Sequence, residues 1–280
     1  MVPVSPDLKK PYIIVLGNEK GGTGKSTISM HIIIHLLRSG YSVGSIDVDA
    51  RQGTLSRYLE NRKAYIQRTG KTLPTSDHYP IFKSHFDAQK IAEQDETARL
   101  QSCFQEMMTK DFIVIDTPGT DNFLSRLAHS YADTLITPLN DSFVDLDMLA
   151  RVMPEKRGIE KPSAYAEMVW DQKKYRIMRD GGKLDWVVLR NRLSNLLSRN
   201  KEEMHEVLEK LAQRIGFRLA AGFGERVIFR ELFLSGLTLL DLPDIGMSFN
   251  LSHVAARQEL RDLLEVLKLP TVAEKLSLAS

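Results

Sequence analysis

The chain has 280 residues, 42% of them hydrophobic and 26% charged, the proportions of a soluble globular protein long enough to bury one full core. A net charge of +2 excludes a whole-molecule field for nucleic acid, so any basic surface must be local. The single cysteine, Cys103, excludes an intramolecular disulfide and any cysteine-built metal or iron–sulfur centre within one chain.

Residues 1–10 carry two prolines and a lysine pair and read as a flexible leader. No apolar core of signal-peptide length opens the sequence, and no run approaches the ~18 apolar residues of a membrane span. A cytoplasmic protein with no membrane partner is expected. One α/β domain is expected over 11–269, with an irregular insert at about 69–87, a variable segment at about 154–183 and a tail at 270–280.

Tyr12-Ile13-Ile14-Val15-Leu16 is an apolar run of strand length, buried on both faces. The glycine turn Gly21-Gly22-Thr23-Gly24 follows, and Lys25-Ser26-Thr27 opens a helical run to Arg38 that Gly40 stops. Strand, glycine turn and helix start are the context of a phosphate-binding loop. Glycines let successive N–H groups point into one concavity, and the helix N-terminus adds partial positive charge. In that reading Lys25 reaches the terminal phosphates and Ser26 offers its hydroxyl to Mg²⁺. The usual glycine six residues before the lysine is missing, because Glu19 stands there; a second lysine, Lys20, opens the loop instead.

Ser42-Val43-Gly44-Ser45-Ile46 is a second strand, ending in Asp47-Val48-Asp49. Carboxylates just past a buried strand lie at the edge where α/β sheets bind ligands. Asp49 is the candidate for orienting an attacking water and Asp47 for the Mg²⁺ shell, with helix capping as the plainer alternative. Leu55 to Arg68 is a helix with a basic face. His78 and His85 of the insert lack the partners of a metal site and read as surface-loop residues. A helix over Asp87 to Lys110 leads to the third strand, Phe112-Ile113-Val114-Ile115. Asp116 matches the acid that holds Mg²⁺ through water, and Gly119 is placed to offer an N–H to a γ-phosphate.

Asp121 or Asn122 caps a helix to Tyr131, and Ala132 to Leu139 is the fourth strand, closed by Pro138. Ser142 and Asp145 have capping-box spacing before Leu146, Leu149 and Val152, which assigns Asp141, Asp145 and Asp147 to a helix start rather than a second metal site. A helix from about Ala164 to Met178 precedes the strand Leu184 to Leu189, and Asn191 just beyond it can pair with the N6 and N7 edge of adenine. Helices over Lys201 to Ile215, Arg226 to Phe233 and Leu251 to Leu267, with a short strand at Phe217 to Ala220, complete the chain. Arg190, Arg192, Arg199, Lys201, Arg218, Arg226 and Arg230 gather in the last third. They suit DNA phosphates, or equally a solvated face diluted by Glu202, Glu203, Glu206 and Glu209.

The run from Lys20 to Ser26, Lys-Gly-Gly-Thr-Gly-Lys-Ser, resembles the deviant phosphate-loop motif of the ParA/MinD superfamily of P-loop ATPases. The resemblance implies a three-layer fold, a mostly parallel sheet between helices, with ATP and Mg²⁺ as cofactors. It also implies slow hydrolysis that depends on a homodimer, in which Lys20 reaches the partner's nucleotide. The superfamily usually has proline where Arg51 follows the two acids, a local departure. The 115–149 block, DVDARQ and RVIFRELFLSGLTLLDL resemble the division-plane-positioning branch of the superfamily. That branch implies non-specific DNA binding with nucleoid association of the dimer, recruitment by the partitioning protein ParB, and inhibition of FtsZ polymerisation. A ParA-type chromosome or plasmid partitioning ATPase is the alternative. One cysteine speaks against the nitrogenase iron-protein type, and TVAEKLSLAS, with one lysine, against a MinD-like membrane tail.

Overall fold

The computed structural model describes residues 10–49, 51–152, 159–193, 199–248 and 250–270. Strand β1 (Tyr12–Leu16) turns into helix α1 (Lys25–Arg38), and β2 (Val43–Asp47) into α2 (Thr54–Thr69). There follow β3 (Asp77–Pro80), α3 (Gln89–Glu106), β4 (Phe112–Asp116), α4 (Phe123–Tyr131) and β5 (Thr134–Asn140). The one-turn α5 (Phe143–Leu146), β6 (Ala150–Val152), β7 (Ile159–Pro162), α6 (Ala164–Asp180) and β8 (Asp185–Asn191) come next. The chain ends in α7 (Arg199–Leu211), β9 (Arg218–Ala220), α8 (Ile228–Leu234) and α9 (Leu251–Leu267).

Seven strands form one parallel sheet in the order β3-β2-β4-β1-β5-β8-β9. The continuous apolar runs of β1 and β4 follow from burial on both faces. Ile13 and Val15 join a core with Leu124 of α4, Val169 of α6 and Leu208 of α7; Ile14 and Leu16 join another with Ile32 of α1, Tyr58 of α2 and Leu263 of α9. Period-two alternation of one strand thus seeds both cores, and each such side chain contributes ~1.5–3 kcal/mol by leaving water. The three-layer expectation holds.

Three local expectations do not. The insert 69–87 contains β3, which pairs with β2 at the sheet edge. Asp77-His78-Tyr79-Pro80 has no apolar run to announce a strand; its order comes from the ladder and, as described below, from His78. The helix expected from Ser142 through Val152 stops after one turn, because Ala150 already opens β6, whose antiparallel partner is β7. Pro138 lies inside β5 opposite Leu189 rather than closing the strand.

Outside the sheet, a buried ion pair fastens the 236–246 turn to α1 and α2. Arg62 forks onto Asp241, Nη1 to Oδ2 at 2.8 Å and Nη2 to Oδ1 at 2.9 Å, and both residues are fully buried. Arg38 Nη2 donates to the same Oδ1 at 2.7 Å. Burial alone would raise the Asp241 pKa, but the guanidinium bonds and charges outweigh it and hold it at about 2.

Strand order reverses at β1, with β4 on one side and β5 on the other, so a crevice opens at the carboxyl ends of the strands. Register aligns what lies there. Leu16 and Asp47 both stand opposite Asp116, and Asn140 stands opposite Asn191.

Candidate nucleotide site

The loop between β1 and α1 is built from its ends. Asn18 shapes the entrance: its Oδ1 accepts the N–H of Lys20 and its Nδ2 donates to the Pro138 carbonyl, both at 2.7 Å. Gly24 caps α1 at φ 93°, and a Cβ there would stand 2.2 Å from Asn191 Nδ2, so the position demands glycine twice over. Lys25 Nζ donates to the carbonyls of Asn18 and Lys20 at 3.0 Å each. Burial lowers the Lys25 pKa, opposed by the charges of Asp116 and Asp49.

The acids divide their work. Ser26 Oγ donates to Asp116 Oδ2 at 2.5 Å and Ser29 Oγ to Oδ1 at 3.2 Å. Burial, and then the charge of Asp47, raise Asp116 to about 7. A buried carboxylate short of positive charge, beside a hydroxyl, is a hard-oxygen pair that fits Mg²⁺. Among the described residues no group of three or more His, Cys, Asp or Glu is poised for a metal. Mg²⁺ takes few protein ligands and completes its shell with phosphate and water. Asp47, expected in the Mg²⁺ shell, is turned into the loop after β2. Its Oδ1 accepts the Asp49 N–H at 3.0 Å, and its Oδ2 accepts the N–H and hydroxyl of Ser56 at 3.0 and 2.9 Å. Asp49 lines the cavity, its pKa raised first by burial and then by Asp47.

The cavity measures about 880 Å³ and is bounded by Gly21 to Thr27, Asp49, Asp116 and the 117–122 turn. Gly119 lies on the phosphate loop, where a Cβ would come within 2.7 Å of the Gly21 nitrogen, and Thr117 Oγ1 ties the turn to the Leu16 carbonyl at 2.8 Å. Arg51, Lys83 and Asp121 also line it, and sequence reasoning missed all three. Lys83 comes from the insert, where no pattern marks it. A second cavity of about 450 Å³ shares Gly24, Thr27, Thr54 and Arg192 with the first and runs along Ile28, Phe223 and Phe229. Asn191 lines it and donates to the Thr23 carbonyl at 2.7 Å. A polar chamber opening on an apolar, aromatic one matches the two ends of a nucleotide.

Lys20 pairs with Asp145 of α5, a residue 2% exposed whose other oxygen, Oδ2, has no hydrogen-bond partner. This corrects the capping-box reading. Ser142 Oγ does cap Val144 N, at 3.2 Å, but Asp145 serves the loop lysine. Four of the basic residues of the last third pair with acids. Arg190 bonds Asp141, Arg218 bonds Asp185, Arg226 bonds Glu259 and Arg230 bonds Glu225. Arg192 is exposed at φ 55° where the two cavities meet. Arg199 and Lys201 start α7, and their side chains lie outside the described residues.

Sheet order, phosphate loop and acids define a P-loop NTPase of the ParA/MinD kind. The family model for ATPase MipZ matches residues 12–271, and the chain belongs to that family. Among curated proteins it is similar to the chromosome-partitioning ATPase Soj of Treponema pallidum, 25% identical over 163 residues, 52% of this chain and 64% of that one. It is also 24% identical over 197 residues to an iron–sulfur cluster carrier protein of Aquifex aeolicus, covering 61% of this chain and 52% of the carrier. The matches therefore span between half and two thirds of those relatives. In fold it is similar to an ATP complex of a McdA variant from Cyanothece (TM-score 0.62, 15% identity, 94% of this chain and 99% of that one). It is likewise similar to a plasmid partition protein of Borrelia burgdorferi B31 bound to AMPPNP (0.56, 16%, 92% and 98%). MinD of Aquifex aeolicus gives 0.53 at 16% identity, over 91% and 97%.

Proposed function

We propose that this chain binds and hydrolyses ATP at the β1–α1 loop, dimerises with ATP, and uses that cycle to regulate where the cell divides. The observation that carries the reading is the convergence of the loop amides, Lys25, the Ser26–Asp116 pair and Asp49 on one cavity. Phosphoryl transfer to water is mainly positioning and charge stabilisation. Lys25 exchanges its two loop carbonyls for phosphate oxygens. Gly119 offers its N–H to the γ-phosphate, Asp49 aligns the water, and Asn191 leaves Thr23 to read the adenine edge. Ser26 and Asp116 would hold Mg²⁺, which when bound neutralises charge on the β- and γ-phosphates. Lys20, released from Asp145, reaches the nucleotide of a second copy, and a cation supplied in that way is worth ~10³–10⁵ in rate in comparable NTPases. Hydrolysis is then slow in the monomer and serves as a clock for the dimer.

Family membership supports three further partners: DNA bound without sequence preference and holding the dimer at the nucleoid, ParB as recruiter, and FtsZ as the target whose polymerisation is inhibited. For DNA, the candidate contacts are Arg192, Arg199, Lys201, Arg218, Arg226 and Arg230, of which the last three also pair with carboxylates. The similarity to Soj supports a second reading, a partitioning ATPase. Molecular mass in solution with ATP and with ADP tests the clock: Asp49→Ala accumulates as an ATP-loaded dimer, and a variant that stays monomeric at saturating ATP overturns it. Inhibition of FtsZ assembly by the ATP-bound protein separates the two readings, since a partitioning ATPase leaves assembly unchanged.

A further inference from the structure

Asp49 ends a chain of hydrogen bonds that begins outside the nucleotide cavity. Ser76 Oγ lies 2.9 Å from Ser45 Oγ, and Ser45 Oγ lies 2.9 Å from His78 Nδ1. His78 Nε2 is 2.9 Å from Ser56 Oγ, which donates to Asp47 Oδ2 at 2.9 Å, while Asp47 Oδ1 accepts the Asp49 N–H at 3.0 Å. The far end fixes the directions as far as His78. Both Asp47 oxygens accept backbone N–H groups, so Ser56 directs its one hydroxyl proton to Asp47. Ser56 Oγ must then accept from His78, which places the imidazole proton on Nε2. Nδ1 is then the acceptor and faces the Ser45 hydroxyl, which also lies 3.3 Å from the Asp77 carbonyl and whose oxygen accepts from Ser76. Burial lowers the His78 pKa to about 4 and keeps the ring in this neutral, one-donor form.

We propose that His78 is a positioning residue for ATP hydrolysis: through Ser56 and Asp47 it fixes the loop that presents Asp49 to the nucleotide. The inference rests on the reading of Asp49 as the residue that aligns the attacking water. A planar ring with one donor and one acceptor is suited to join two hydroxyls on different elements, Ser45 in β2 and Ser56 in the first turn of α2. The ring is delivered by β3, where His78 stands in register with Ser45. The segment is also tied to the acids by its backbone, Ile81 N donating to the Asp47 carbonyl at 2.8 Å, and two residues on it brings Lys83 to the cavity wall. The insert is thus the outer support of the catalytic loop.

The test is kcat for ATP, with affinity for a non-hydrolysable ATP analogue plus Mg²⁺, in His78→Leu, His78→Gln, Ser56→Ala, the Leu/Ala double variant and Asp49→Ala, each checked for a native melting transition. Small displacements of a positioning group cost tens-fold in rate. His78→Leu and Ser56→Ala each lower kcat about tenfold, with analogue affinity within about twofold of the parent. The double variant is no slower than the slower single, because a serial chain broken twice loses nothing more. His78→Gln, which keeps a donor near Nε2, retains most of the rate. A folded His78→Leu with parental kcat, or losses that multiply in the double variant, overturns the proposal. Should His78→Leu not fold, Ser56→Ala with parental kcat does the same. Asp49→Ala at the parental rate would instead remove the water-aligning reading itself.

Discussion

Replacing Asp241 by asparagine takes the charge from a carboxylate that is fully buried and leaves Arg62 without the counter-charge now held at 2.8–2.9 Å. Two routes give the size of the loss. Breaking one half of a buried ion pair costs ~3–5 kcal/mol. Linkage gives a similar figure: a folded pKa of about 2 against roughly 3.9 unfolded corresponds to about 2.6 kcal/mol. Asparagine keeps the shape and one acceptor, so about 3 kcal/mol is expected at pH 7, read as a lower urea midpoint at unchanged slope. The sign with pH follows from the direction of the shift. Because the folded pKa is depressed, the contribution is complete above the unfolded pKa and is lost as pH falls through the folded one. The deficit of Asp241→Asn against the parent should stay constant from pH 8 to about 4, then shrink by about 1.4 kcal/mol per unit toward pH 2. A deficit below about 1 kcal/mol at pH 7, or one that grows on acidification, would refute the reasoning.

Gly24→Ala places an L side chain at φ 93° and a Cβ 2.2 Å from Asn191 Nδ2. The backbone term alone is ~1–2 kcal/mol, so ATP affinity should fall at least about fivefold; calorimetric titration with an affinity near that of the parent would exclude the proposed cradle. Asp145→Asn loosens Lys20, and acylation of Lys20 by an amine-reactive ester should accelerate several-fold relative to the exposed Lys90; an unchanged ratio means that the pair holds nothing in solution. His31 and His129 are buried and neutral, burial lowering both to about 4. The unfolded chain therefore binds protons first, and stability should fall as pH drops from about 6.5 toward 4, by at most about 3.4 kcal/mol per histidine. His129→Gln should flatten that slope in urea titrations, and an unaltered slope would count against the assignment.

The sheet was legible wherever burial is two-sided. Tyr12–Leu16 and Leu251–Leu267 stand in the structure with the bounds expected of them, and Asn122 caps α4 through Ser125 N as one of two candidates. Legibility failed where order comes from polar contacts between distant residues. β3 carries no periodicity, and its histidine is meaningful only beside Ser45 and Ser56, 33 and 22 positions away. Asp145 sits at the right spacing for a helix cap, and nothing local tells that its partner lies 125 residues upstream. The acids that pair with Arg218 and Arg226, Asp185 and Glu259, are 33 positions away in each case, too far for any local pattern to show the pairing.

β1 sits mid-sheet, with Tyr12 opposite Phe112 and Ile14 opposite Thr134. During synthesis the phosphate loop leaves the ribosome long before either flanking strand exists, and Asn191 emerges later still. Contacts so distant in the chain form late and slowly. Competence to capture nucleotide therefore arrives only once the second half has been made, and a prematurely terminated product would carry the motif without the ability to answer ATP.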